Sequence, residues 1–121
     1  MKKIFYTLLA AVALTTVGCT SGTGEQDVRV ISYNVRYLNN KDTVENHWDN
    51  RKQASINMIN EEKPTVFGLQ EAVKAQVDFL AENLPNYAYY GVGRDDGAEK
   101  GEFMAIFYDK SEVELLDKGT F

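Results

Sequence analysis

The sequence holds one cysteine, one histidine and two prolines in 121 residues. A single cysteine excludes a disulfide framework within the chain, because each bridge needs two thiols. One cysteine and one histidine cannot assemble a structural zinc set of four ligands. Two prolines and nine glycines are too few for a linker, a collagenous repeat or a low-complexity chain. A phosphate-binding P-loop is missing, and Gly91-Val92-Gly93-Arg94-Asp95-Asp96-Gly97 has one residue too many for the dinucleotide fingerprint. Positive charge is also scarce, with 13 Lys+Arg against 18 Asp+Glu and a formal net charge of −5. General nucleic-acid binders present a basic face, so this balance argues against one. What remains is ordinary globular usage, 44% apolar and 26% charged, at the length of one domain or less.

Long hydrophobic runs are absent too. The uncharged stretch Ile4 to Val17 falls short of the roughly 20 residues a membrane-spanning helix needs. With Lys2 and Lys3 before it and small residues after it, the stretch has the layout of a secretory signal. Gly18 and Cys19 narrow the reading, because the segment resembles a bacterial lipoprotein signal, cleaved before a cysteine that takes up lipid. Thr16 departs from that pattern, which usually has Leu, Val or Ile there. The alternative is a plain signal peptide with an incidental cysteine. The expected organisation is a signal over residues 1–18, a polar tether over 19–27 and a folded part over 28–121. Starting at Cys19 leaves 103 residues and a formal charge of −7, since Lys2 and Lys3 are lost. A lipid on Cys19 would hold the domain at a membrane surface, as an exported lipoprotein of the periplasm or cell surface.

Along the folded part, Val28 to Tyr37 is rich in β-branched and aromatic residues on both faces, which predicts a strand buried on both sides. Trp48 to Glu62 has no proline or glycine and predicts a helix, started by Asn46 or Asp49 and stopped before Pro64. Val66 to Leu69 reads as a short buried strand. Val73, Val77, Leu80 and Leu84 form one helical stripe that Pro85 ends. Tyr87 to Val92, Phe103 to Tyr108 and Val113 to Leu116 read as strands, with a glycine- and charge-rich loop over Gly91 to Gly101. The opening alternation predicts an α/β layered fold. The chain stops at Gly119-Thr120-Phe121, in what reads as the middle of a strand.

The sharpest pair of polar residues is Asn34 and Glu71, each at the C-terminal end of a predicted strand. If those strands are neighbours, both side chains face one crevice, the usual ligand position of open α/β sheets. An amide oxygen and a carboxylate are hard donors suited to Mg²⁺ or Mn²⁺. The alternative is an Asn in a turn and a Glu opening the second helix, where its charge would complement the helix N-terminus. His47, beside Trp48 at a helix start, reads as a cap or a surface residue.

Ile31-Ser32-Tyr33-Asn34-Val35, then Trp48 and Arg51, then Phe67-Gly68-Leu69-Gln70-Glu71, resembles the start of the endonuclease/exonuclease/phosphatase family. Gly91 to Gly97, Lys100-Gly101-Glu102-Phe103 and Ala105-Ile106-Phe107-Tyr108 resemble a bacterial secreted branch of it. The similarity covers almost everything from Val28 onward. Thr65 departs from the pattern, which often has Asp there; the resemblance makes this a matter of how the strand starts. The resemblance implies an α/β four-layer sandwich, two β-sheets packed face to face and flanked by helices, of which this chain is the N-terminal half. It implies metal-dependent hydrolysis of phosphomonoesters or phosphodiesters, with Glu71 as the metal-binding glutamate and Asn34 placing metal and phosphate. Mg²⁺, or Mn²⁺ in its place, is the implied cofactor. Arg94 is either a bidentate phosphate contact or a loop arginine paired with Asp95 or Asp96. Glu102 reads as a solvated loop carboxylate, and Trp48 and Arg51 as residues that pin the first helix.

The family's later Asp, Asn and Asp-His residues have no counterpart here, and His47 precedes Glu71 rather than following it. A general base is needed to generate hydroxide, so the chain alone is expected to be catalytically dead, and marginally folded because half of the implied core has no partner. For the complete protein, the acidic charge favours a phosphorylated small molecule or a lipid head group over duplex DNA. The alternative is a lipid-anchored module that binds on the same scaffold without catalysis.

Overall fold

The computed structural model describes residues 27–120; the signal segment, Cys19 and nearly all of the polar tether lie outside them. The elements in chain order are β1 (Val30–Asn34), α1 (Trp48–Glu62), β2 (Val66–Gln70), β3 (Ala72–Val73), α2 (Lys74–Asn83), β4 (Tyr87–Tyr90), β5 (Glu102–Phe103) and β6 (Ile106–Asp109). A mixed sheet runs β1-β2-β6-β4, and β3 with β5 forms a short second sheet. The first pair is parallel, Val30 opposite Val66 through Asn34 opposite Gln70. The α/β class read from the sequence is therefore the class of the structure.

Both helices pack on one face of the main sheet. Ile56 and Ile59 from α1 and Val77 and Leu80 from α2 join Phe67, Leu69 and Phe107 in a single buried cluster. Phe67 and Phe107 are register partners whose rings stack at 4.8 Å. Trp48 is buried and meets Phe79 edge-on at 5.8 Å, which joins α1 to α2. On the opposite face Val30 and Ile106 are exposed.

Helix α1 has the predicted bounds. His47 caps it, its Nδ1 accepting from the Asp49 N–H at 3.4 Å, so Asn46 and Asp49 are not the capping side chains. The helix ends on Lys63 in the left-handed region, whose N–H returns to the Ile59 carbonyl, and Pro64 prevents continuation. Thr65 is buried and ties the start of β2 in place. Its Oγ1 accepts from the Arg29 N–H and donates to Glu112 Oε2 at 2.6 Å.

Three strand predictions need correction. The first strand is five residues long and not buried on both sides: Val30 is 68% exposed, because only the Ile31 and Tyr33 face meets the helices. The apolar run 103–108 is two strands, since Phe103 pairs with Ala72 while Ile106 pairs with Gly68. Val113 to Leu116 forms no strand, and Leu116 is 89% exposed.

Candidate functional site

The parallel pairing of β1 with β2 places Asn34 and Gln70 in register, so Glu71 follows directly beside Asn34. Glu71 does not open α2, because β3 intervenes and the helix begins at Lys74. The chain is bulged at this point. Leu69 donates to the Ala105 carbonyl and Ala72 pairs with Phe103, so Gln70 and Glu71 together stand opposite Met104 alone. Such a two-against-one bulge re-aims side chains at sheet edges. Glu71 adopts φ 58°, and so does Arg36, the residue two beyond Asn34. A non-glycine residue in the left-handed region costs about 1–2 kcal/mol, so its surroundings must hold it there.

The hydrogen bonds that do so converge on one loop. Asn34 Nδ2 donates to Glu71 Oε1 at 2.8 Å, and Asn34 Oδ1 accepts from the Arg36 N–H at 2.8 Å. The Tyr37 N–H donates to Glu71 Oε2 at 3.2 Å. Both carboxylate oxygens are thus engaged while the side chain stays exposed. Asn34 first, then the Tyr37 N–H, holds the Glu71 carboxyl below its ordinary value of 4.5. Burial opposes this only in part, so Glu71 is an ionised group at neutral pH.

Behind the loop, Arg51 donates to the carbonyls of Asn46, Val35 and Arg36, at 2.6, 2.6 and 3.2 Å. It thereby pins the first helix to the end of β1, the role the sequence suggested. Gln76 was not anticipated. It is fully buried, donates to the Arg36 carbonyl at 2.9 Å and accepts from the Val73 N–H at 3.1 Å. The one available sequence signal is spacing: Gln76 lies three residues after Val73 and four before Leu80, on the helical face they share. Arg36 itself pairs in a fork with Asp42, through Nε to Oδ2 at 3.0 Å and Nη2 to Oδ1 at 2.7 Å.

Arg94 stands apart from this network. Its guanidinium, 69% exposed, donates to Glu102 Oε2 at 3.0 Å and lies 3.8 Å from Asp95 Oδ1. Glu102 is the register partner of Val73, two residues after Glu71. Arg94 and Glu102 also line an open hollow of about 360 Å³ with Tyr90 and Met104, which neither Asn34 nor Glu71 lines. His47 is engaged as the α1 cap.

No group of three His, Cys, Asp or Glu side chains among the described residues could enclose a metal. The donor set nevertheless fits a hard dication. Mg²⁺ keeps several waters and is commonly held by one or two carboxylates, and Glu71 supplies an ionised, exposed one.

No family model matches the chain, and no curated protein matches it. Solved structures do. An endonuclease/exonuclease/phosphatase from Bacteroides vulgatus is 38% identical with a TM-score of 0.73, covering 77% of this chain and 35% of that one. A mannosyl-6-phosphatase of Bacteroides thetaiotaomicron gives the same four figures. An endonuclease/exonuclease/phosphatase family protein from Bacteroides thetaiotaomicron is 39% identical with a TM-score of 0.72, covering 76% and 34%. The chain spans about a third of the length of the structures it matches. Across that stretch, with Asn34 and Glu71 joined at the ends of adjacent parallel strands, the chain belongs to the endonuclease/exonuclease/phosphatase family of phosphoesterases.

Proposed function

We propose that this chain carries the cation-binding side of a phosphoesterase site, with Glu71 as the carboxylate ligand for Mg²⁺, or Mn²⁺ in its place. The observation that carries the reading is the Asn34–Glu71 hydrogen bond of 2.8 Å at the strand ends. A cation bound there supplies Lewis-acid stabilisation of charge on a phosphoryl oxygen. Asn34 orients the carboxylate through one proton of its Nδ2, and in this reading the other proton of that amide meets a phosphate oxygen. Arg94 is paired with Glu102 and stands apart from Asn34 and Glu71; in this reading its exposed guanidinium exchanges that carboxylate for a phosphate group of the substrate.

The substrate class is a phosphorylated small molecule or a lipid head group rather than duplex DNA. The acidic balance of the chain supports this, because phosphate contacts from Lys and Arg dominate duplex binding. The likeness to a mannosyl-6-phosphatase points to the same class. Export follows from the signal-like segment, and a lipid on Cys19 fixes the protein to a membrane.

Alone, the 121-residue chain does not turn over substrate in this reading. Its single histidine caps α1 and no other imidazole is present to serve as a base. That same observation favours a second reading, a lipid-anchored module that binds phosphorylated ligands without hydrolysing them.

Hydrolysis of hexose 6-phosphates and phosphorylated head groups, and strand cleavage of duplex DNA, each with and without Mg²⁺, test the proposal. The complete protein is expected to hydrolyse the small substrates only with Mg²⁺, and the 121-residue chain none of them. Binding without turnover by the complete protein supports the second reading. Undiminished activity in chelator, or in Glu71→Gln, contradicts the first.

A further inference from the structure

We propose that Gln76 is a positioning residue for the Asn34–Glu71 pair, acting through the Arg36 peptide that it holds from the start of α2. The proposal rests on the reading of Glu71 as the cation ligand.

Arg36 is the junction of the network. Its N–H orients Asn34 Oδ1, and the next N–H in the chain, from Tyr37, meets Glu71 Oε2. The peptide between those two N–H groups contains the Arg36 carbonyl, which accepts from Gln76 Nε2 at 2.9 Å and Arg51 Nη2 at 3.2 Å. Turning that peptide would carry the Tyr37 N–H away from the carboxylate, because the two ends of a planar amide move together. Arg36 has φ 58°, a conformation that persists in a non-glycine residue only under such outside constraint.

Gln76 also anchors the other partner. Its Oε1 accepts from Val73 N–H, and Val73 is two residues after Glu71, which itself has φ 58°. One fully buried carboxamide therefore links the loop after β1 to the segment after β2, with each of its two ends satisfied. Every buried side-chain polar atom among the described residues has a partner. Replacing Gln76 with an apolar side chain leaves the Arg36 carbonyl with Arg51 alone and the Val73 N–H with none of its side-chain acceptor. Groups that orient metal ligands from behind typically change metal affinity by about 10–100-fold when removed.

The test compares the full wild-type chain with Gln76→Met, which keeps the side chain's length and removes both hydrogen bonds. Val77→Ala serves as control, since it opens a cavity in the same helix face and leaves those bonds in place. The readouts are the Mn²⁺ dissociation constant and, without metal, hydrogen exchange at the Tyr37 amide. Gln76→Met is expected to weaken Mn²⁺ binding roughly tenfold or more and to speed Tyr37 exchange. Val77→Ala is expected to lower stability and leave both readouts unchanged. Equal effects of the two variants, or no effect of Gln76→Met, overturn the proposal. If wild type binds no Mn²⁺, the Glu71 reading fails while Tyr37 exchange still reads the Gln76 link. Should Gln76→Met not fold, exchange of the Gln76 carboxamide protons in wild type decides. Exchange as slow as the α2 core amides supports the link, and exchange as fast as the exposed Gln53 side chain overturns it.

Discussion

Asn34 and Glu71 are 37 residues apart in sequence and joined by a 2.8 Å hydrogen bond, Asn34 Nδ2 donating to Glu71 Oε1. The bond exists because β1 and β2 run parallel in exact register and the chain bulges at Glu71 instead of continuing the strand. Asn34 directs its amide NH₂ at the carboxylate because the Arg36 N–H occupies its oxygen. The amide therefore orients the carboxylate, which in the proposed function meets a cation.

Removing the carboxylate charge is expected to abolish that capacity. Glu71→Gln keeps the side chain's size and can still accept from the Tyr37 N–H, yet presents no anion to a hard dication. Calorimetric titration with Mg²⁺ is expected to lose its saturable binding in the variant. In the complete protein, turnover is expected to drop by orders of magnitude.

Cation binding is expected to survive mild acid. Asn34 and the Tyr37 N–H lower the Glu71 value from 4.5, so the group remains ionised down to about pH 4.5 and protonates only below it. A lowered folded-state value contributes stability that is fully present above 4.5 and is lost as pH falls through the lowered value. Asn34→Leu removes the leading cause and is expected to move the acid limb of Mn²⁺ affinity upward, toward 4.5. Affinity measured from pH 7 to pH 3 in both proteins checks this.

Phe67→Ala is expected to cost about 3–5 kcal/mol, because the ring is fully buried and stacked on Phe107. Thr65→Val is expected to cost about 1–3 kcal/mol, since it strips the Arg29 N–H of its acceptor and Glu112 of a donor. Urea unfolding monitored by Trp48 fluorescence measures both.

Cys19→Ser is expected to move the protein from the membrane fraction to the soluble exported fraction and to abolish labelling by a lipid precursor. Membrane retention of the variant would contradict lipid anchoring.

Much of the fold was legible because it rests on local chemistry. The absence of proline and glycine from Trp48 to Glu62, then Pro64, sets α1, and the Val77–Leu80–Leu84 stripe sets α2. The His47 cap competed with Asn46 and Asp49, equally placed in sequence, and only the backbone geometry separates them. The division of residues 103–108 was not legible, because one continuous apolar run pairs with two different segments, at Ala72 and at Gly68. For the site, the strand-end positions of Asn34 and Glu71 could be read from sequence. The left-handed backbone of Arg36 and Glu71 could not, as neither is glycine. Gln76 lies 40 residues from its Arg36 partner, so no local pattern announces it.

The most direct measurement is a Mn²⁺ titration of the chain followed by paramagnetic broadening of its amide resonances. The account predicts saturable broadening centred on residues 34–37 and 70–72, lost in Glu71→Gln. Broadening centred instead on the acidic loop over residues 95–102, or indifferent to Glu71→Gln, would contradict it.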